Sequence, residues 1–368
     1  MPPFVPPLPP RPLASRVLPS RGNGGARLDV RRTGDAVGHL TESLHSSVVV
    51  CTKDRAASVR TTVATLRDQV DASPFEIVVV DDQSEPAVIL DDLGGEPAVR
   101  VSRIAHQGRS AARNHGARLA RGSVLLFLDD DMRVRPDFVA AHERAHRRWD
   151  RALVVGSVVP CDSFSKTPFG RFTRRVERKA TPETAGIVDR PNFCTAANMS
   201  VSRSVFVDLG GFNPRLHCAE DQDLALRHSR NGRPIVYIPE AQAVHHDPAL
   251  DIRASCRKAE WTGRHLVEFC RAQPAWPENE QRLLINGPLV PGREPAGTTA
   301  KKLGKWLLGQ RAILEVLFAL TALVERSRGD GPLLDVLYTT LVGIHLQRGF
   351  RSGLAASGRQ PGSIGGRP

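Results

Sequence analysis

Aromatic side chains make up only 5% of this 368-residue chain, with two tyrosines and four tryptophans. No stripe interleaves aromatic with basic residues, so the stacking platforms that hold single-stranded nucleic acid are excluded, and no nucleic-acid partner is expected. The six cysteines, at positions 51, 161, 194, 218, 256 and 270, include no Cys-x-x-Cys pair. That spacing suggests neither a zinc site nor a disulfide framework and reads as reduced cytosolic thiols. The opening Met-Pro-Pro-Phe-Val-Pro-Pro-Leu-Pro-Pro has no uninterrupted apolar segment of the kind an export signal needs. A cytoplasmic location is the expectation. Long apolar runs are also scarce. Residues 306–324 carry Gln310, Arg311 and Glu315, and residues 332–346 form a short run. Neither meets the roughly 20-residue length of a spanning helix. Ordinary core packing and peripheral contact with the inner face of the cell membrane both remain open for this pair.

What is abundant is positive charge: 51 Lys and Arg against 39 Asp and Glu give a net charge of +12. Anionic partners such as nucleotides, lipid phosphates or headgroups suit that balance, and so does a merely solvated basic surface. Residues 1–44 are rich in Pro, Gly and Arg and lack apolar periodicity, which predicts a disordered tail. From residue 45 to 250, short apolar runs (47–51, 75–80, 99–104, 124–128, 152–159 and 234–238) alternate with helix-like stretches. The alternation predicts an α/β domain with a mostly parallel sheet flanked by helices. Residues 251–368 read as a helical extension, with a helical hairpin turning at Arg328-Gly-Asp-Gly331 and a flexible end.

Two strands of this reading end abruptly in carboxylates, Asp81-Asp82 and Asp129-Asp130-Asp131. Ligands of open α/β sheets bind at the carboxyl ends of strands, so both clusters could share one rim. Three adjacent carboxylates repel unless solvent screens them or a cation joins them. In an extended strand Asp129 and Asp131 would point one way and Asp130 the other, the spacing of an Asp-x-Asp metal clamp. Asp-rich turns also follow strands with no such role. A further cluster, Glu220-Asp-Gln-Asp223, falls at a predicted helix start, where carboxylates serve either as caps or as a general base.

In order along the chain, several stretches resemble family 2 glycosyltransferases of the GT-A fold. They are Ser47-Val-Val-Val-Cys-Thr-Lys-Asp-Arg55, Val78-Val-Val-Asp-Asp-Gln-Ser84 and Gly108-Arg-Ser-Ala-Ala-Arg-Asn-His-Gly116, followed by Leu125-Leu-Phe-Leu-Asp-Asp-Asp131, Ala197-Asn-Met-Ser200 with Gly210-Gly-Phe212, and Glu220-Asp-Gln-Asp-Leu224. The resemblance covers residues 46–248. It implies a GT-A-like, Rossmann-like domain that transfers a sugar from a nucleotide-sugar donor, a UDP-sugar favoured, to a hydroxyl acceptor that could be lipid-linked, with inversion at the anomeric carbon. Cys51, Thr52, Asp54, Asp82, Arg113, Asp129 and Asp130 would meet the donor, with Asp82 at the base. Cys51 departs from the proline common there. Asp129 and Asp131 would hold a divalent cation, Mn2+ or Mg2+. Asp221 would be the catalytic base and Glu220 its neighbour at the acceptor.

His245-His246 resembles the family's terminal histidine near the diphosphate, with His245 the preferred metal ligand and ordinary surface histidines the alternative. The basic residues Arg171, Arg174, Arg175, Arg178 and Lys179 occupy the place of an acceptor loop, or form a solvated helix face. The Gln-x-x-Arg-Trp motif of processive synthases is replaced by Arg257-Lys-Ala-Glu-Trp261, which favours transfer of single sugars. A sugar-nucleotide nucleotidyltransferase is an alternative, but residues 51–55 lack the glycines of its phosphate loop. A catalytically inactive scaffold on the same fold is the other.

Overall fold

The computed structural model describes residues 46–246, 251–290 and 294–357; the tail expected at 1–44 and the flexible end expected after the last helix lie outside the described residues. The chain runs from β1 (Ser46–Thr52) through α1 (Ala56–Arg67) to β2 (Phe75–Asp81), β3 (Ala98–Arg103), α2 (Arg109–Leu119) and β4 (Val124–Asp129). It continues through β5 (Met132–Val134), α3 (Phe138–Arg148), β6 (Leu153–Pro160), α4 (Pro168–Ala180), β7 (Gly186–Ile187), β8 (Asn198–Ser202), α5 (Arg203–Asp208), α6 (Glu220–Arg230) and β9 (Ile235–His245). Five helices follow: α7 (Ile252–Ala272), α8 (Pro277–Asn286), α9 (Ala296–Leu308), α10 (Arg311–Arg328) and α11 (Pro332–Ala356).

The sheet order is β3-β2-β1-β4-β8-β6-β9-β5, with β7 also on β9. Its first half, β3 to β4, is wholly parallel. Beyond β4 the sheet is mixed, because β8 runs antiparallel to both β4 and β6. The continuous apolar runs of β1, β2 and β4 are explained by cover on both faces. Val48 and Val50 pack with Val59, Val63 and Phe138 of α1 and α3. Val49, between them, packs with Ala117, Val205, Phe206 and Leu224 on the opposite face. The parallel register places Thr52 beside Asp81 and Cys51 beside Asp129, which aligns the strand ends on one rim.

Beyond the sheet, α11 packs most closely along α7. Glycine permits that approach: a Cβ on Gly349 would stand 1.8 Å from the Glu260 carbonyl oxygen, and one on Gly353 2.2 Å from that of Arg264. A Gly349→Ala substitution therefore forces the two helices apart. The expected cost is about 1–3 kcal/mol, read as a lower midpoint of urea unfolding. The expected helical hairpin is present, with α10 and α11 joined across Gly329–Gly331, but residues 306–324 are not one helix. The chain breaks at Gly309-Gln310, and α9 and α10 are bent by 86°. Among the described residues no single helix is long and apolar enough to cross a membrane, although this bent pair together has the length and composition to do so.

The basic helix α4 is docked rather than solvated all round. Its Phe169 and Phe172 pack on Tyr338 of α11, while Arg171 and Arg175 pair with Asp330 and Asp335.

Candidate functional site

Strand geometry ends at Asp129, and Asp130 and Asp131 lie in the turn before β5. The alternation expected of an extended strand therefore does not set their directions. Thr52 Oγ1 donates to Asp130 Oδ2 at 2.6 Å. One guanidinium then serves two carboxylates, Arg55 lying 3.3 Å from Asp130 and 2.9 Å from Asp131. Asp129 turns to a different partner, Arg113, at 2.8 Å. Burial, with the neighbouring charges of Asp131 and Asp129, pushes the Asp130 carboxyl up to about 6 against the Thr52 bond and Arg55.

The three-residue strand β5 pairs antiparallel with β9, placing Met132 opposite His245. That register sets His245 Nε2 3.0 Å from Asp131 Oδ2. Burial opposes ionisation of Asp131, but the bond from His245 and the charges of His245 and Arg55 outweigh it and hold the carboxyl low. Its other oxygen, Oδ1, is buried with no hydrogen-bond partner. A buried acceptor left unpaired is costly and fits a cation more readily than solvent. His246 donates its backbone N–H to the Asp131 carbonyl at 2.8 Å, which places its main chain, rather than its ring, at this contact.

The helix α2 carries the residue that joins the two acidic clusters. Arg113 is 4% exposed and donates to Asp129 at 2.8 Å and to Glu220 at 2.6 Å. Next to it Asn114 clips the loop before α6, donating to the Phe212 carbonyl at 2.8 Å and accepting from its N–H at 2.9 Å. Gly116, one turn on, faces Val49 so closely that a Cβ would stand 2.4 Å from it. The Arg113-Asn-His-Gly116 segment thus ties β1, β4 and α6 together; the role of Asn114 was not anticipated.

Glu220 and Asp221 open α6. The N-cap position is Ala219, in the left-handed region at φ 58° and with no side-chain cap. Asp221 accepts from the backbone N–H of Ala196 at 3.2 Å and of Gln222 at 2.8 Å. Burial, then the charge of Glu220, pushes its carboxyl up to about 6 against the pull of Arg113. A carboxylate poised there can take a proton near neutral pH.

The remaining expected residues stand on the same rim but are engaged in holding it. Asp82 accepts from the backbone N–H groups of Gln107 (3.0 Å) and Gly108 (3.2 Å) and pairs with the His106 ring at 2.7 Å, fixing the entry to α2. Asp54 accepts from Glu85 N–H at 2.9 Å, while its own N–H donates to Ser84 Oγ at 2.8 Å. Burial pushes the Cys51 thiol up to about 12, so it stands as a neutral group and not a nucleophile.

A zinc-helix spacing, His142-Glu-Arg-Ala-His146, lies on α3 and is not a metal site here. His142 Nδ1 and His146 Nε2 both meet Ser200 Oγ at 2.8 Å, and burial holds the two imidazoles neutral by lowering them to about 3 and about 4. Glu143 is turned away, accepting from Ser46 and Ser73. Among the described residues no group of three or more His, Cys, Asp or Glu could hold a metal ion by themselves.

Residues 47–210 match the sequence model of Glycosyl transferase family 2. Those residues are thereby identified as a glycosyltransferase family 2 domain. The chain is 25% identical to an uncharacterized glycosyltransferase of Haemophilus influenzae, over 49% of this chain and 60% of that one. It is 26% identical to the glucosyl-dolichyl phosphate glucuronosyltransferase of Haloferax volcanii, over 54% of this chain and 68% of the relative. The matched part thus spans less than two thirds of the Haemophilus relative. The fold is similar to that of a mannosyltransferase from Pyrobaculum calidifontis solved with GDP-Man and Mn2+, with a TM-score of 0.52, 18% identity, and coverage of 82% of this chain and 86% of that one. The chain therefore has a GT-A fold.

Proposed function

We propose that this chain transfers a single sugar from a nucleoside-diphosphate sugar, a UDP-sugar favoured, to a hydroxyl acceptor, with inversion and with a divalent cation. The observation that carries the reading is the Arg113 bridge, which sets the Asp129 end of the donor rim beside the helix that presents Glu220 and Asp221. In this reading the catalytic domain is 45–250 and the helical region 251–368. Cys51, Thr52, Asp54, Asp82, Arg113, Asp129 and Asp130 form the donor side.

Asp221 accepts the acceptor's hydroxyl proton, and the acceptor oxygen attacks the anomeric carbon from the face opposite the departing nucleoside diphosphate. Glu220, held by Arg113, positions the start of α6 against the acceptor. Asp131, through its unpartnered Oδ1, and His245, through Nε2, would hold a Mn2+ or Mg2+ ion, with donor diphosphate oxygens completing its shell. Asp129, engaged by Arg113, would reach that ion only by leaving its partner. When bound, the cation supplies Lewis-acid stabilisation of the leaving diphosphate. The Pyrobaculum structure, with GDP-Man and Mn2+, supports a donor and metal of this kind.

The Haloferax relative, named for glucosyl-dolichyl phosphate, supports a lipid-linked acceptor. Peripheral contact with the cytoplasmic face of a membrane accords with the exposed Trp306 and Leu307 of α9 and Val316, Leu320 and Leu323 of α10. A nucleotidyltransferase or an inactive scaffold would not need a carboxylate set for proton transfer at Asp221.

The test is donor turnover across UDP-, GDP- and dTDP-sugars with Mn2+, Mg2+ or EDTA. Asp131→Ala is expected to lose roughly 100-fold in metal-supported activity, with EDTA abolishing wild-type turnover. Turnover indifferent to EDTA would overturn the metal-dependent reading.

A further inference from the structure

The C-terminal helices form a second, half-open concave site, whose reading does not rest on the donor site. A cavity of about 300 Å3, a size that takes a small ligand, is lined by Arg253 and Arg257 of α7, Arg311 and Glu315 of α10, and His345 and Arg348 of α11. Four guanidiniums there face one carboxylate, and that carboxylate is already committed. Glu315 accepts from Arg253 at 2.8 Å, and Arg253 is further held 4.1 Å from the centroid of Phe318. Among the described residues Arg257, Arg311 and Arg348 have no hydrogen-bond or ion-pair partner. Like charges gathered around one space are unfavourable until an anion joins them.

Two further observations point to a ligand. His345 bonds Glu260 through Nδ1 at 2.8 Å, yet its Nε2 is buried without a partner at the cavity wall. Such an atom is costly unless something in the cavity pairs with it. The 18-residue helix α10 also begins here, with Arg311 as its first residue and no side-chain cap at Gln310. Its first amides are left to other acceptors, and the helix dipole adds partial positive charge at this end.

We propose that this cavity binds a phosphate-bearing group, a phosphomonoester or diphosphate. The guanidinium forks of Arg257, Arg311 and Arg348 match phosphate oxygens bidentately, and the α10 amides receive a further oxygen. The same chemistry is presented by a lipid headgroup and by a free phosphate, and the two are separated by experiment.

Amide hydrogen exchange on the full chain reads the site through the first turn of α10. The probes are inorganic phosphate, vesicles of phosphatidylcholine and phosphatidylglycerol in equal parts, and vesicles of phosphatidylcholine alone. Protection of this turn by phosphate or by acidic vesicles is expected, with binding weakened about tenfold or more in Arg257→Glu/Arg348→Glu. Arg144→Glu/Arg147→Glu, two exposed positions on α3, matches that charge change elsewhere and is expected to bind as the wild type does. Protection by acidic vesicles but not by free phosphate assigns a lipid headgroup; protection by both assigns any phosphate group. The proposal is overturned if neither probe protects the turn, if neutral vesicles protect it equally, or if the α3 variant weakens binding as much. Should the glutamate pair fail to fold, Arg257→Gln/Arg348→Gln carries the same test.

Discussion

An Asp221→Asn protein is expected to turn over its donor and acceptor roughly 1,000-fold more slowly than wild type, the scale of a lost general base. Donor affinity should change little, because the substitution leaves the shape of the α6 start and the Arg113 bridge in place. Asparagine keeps only one of the two backbone N–H bonds that Asp221 accepts, but a second effect offsets that loss. The Asp221 carboxyl is raised in the folded chain by burial and by Glu220. The folded state therefore holds that proton more tightly than the unfolded one, and ionisation on going to neutral pH removes stability. Asparagine, which cannot ionise, escapes that loss, which offsets the backbone bond it gives up, so the melting midpoint at pH 7 is expected to stay close to that of wild type while kcat collapses. The same carboxyl sets the acid limb of the pH profile. With Asp221 raised to about 6, kcat/KM should fall about tenfold per pH unit below that point. A mutant that loses kcat and melting temperature together would point to a structural role for Asp221, and a flat profile between pH 5 and 7 would remove it as the base.

The parts of this fold that were legible in the sequence are those whose signal is local. Uninterrupted Val, Ile and Leu in β1, β2 and β4 report burial on both faces, and the carboxylates that follow report the ends of those strands. The Arg113-Asn-His-Gly116 segment was legible as a motif, but the physical reason for it was not, since Arg113 meets Glu220 across 107 positions and Asn114 meets Phe212 across 98. The Asp131 and His245 pairing depends on β5, a strand of three residues, too short to show periodicity. The break in residues 306–324 is marked only by Gly309-Gln310, with no proline. A Cβ on Gly309 would stand 2.8 Å from the Lys305 carbonyl oxygen and 3.4 Å from Ile344 of α11, so tertiary packing enters where local pattern is weak. The turn at Asp130 similarly overrode a strand periodicity that held up to Asp129.

The Arg113 bridge carries the second large effect. Replacing Arg113 by methionine leaves Glu220, whose side chain is 5% exposed, without its cation and frees Asp129 to repel it. Breaking one side of a buried pair in this way costs about 3–5 kcal/mol, a fall of roughly 10 °C in melting midpoint for a domain of this size. Lysine keeps the charge but not the fork that serves two carboxylates at once, so Arg113→Lys should fall between methionine and wild type. Two readouts separate charge from packing. Because Arg113 is the cation that draws the Asp221 carboxyl down, its loss should move the acid limb of any residual activity to higher pH. Adding Glu220→Gln to Arg113→Met removes the orphaned charge and should restore part of the lost stability. A double mutant no more stable than Arg113→Met alone would show that the guanidinium acts through its packing over Phe212, 5.6 Å from the ring centroid, and not through the two carboxylates it joins.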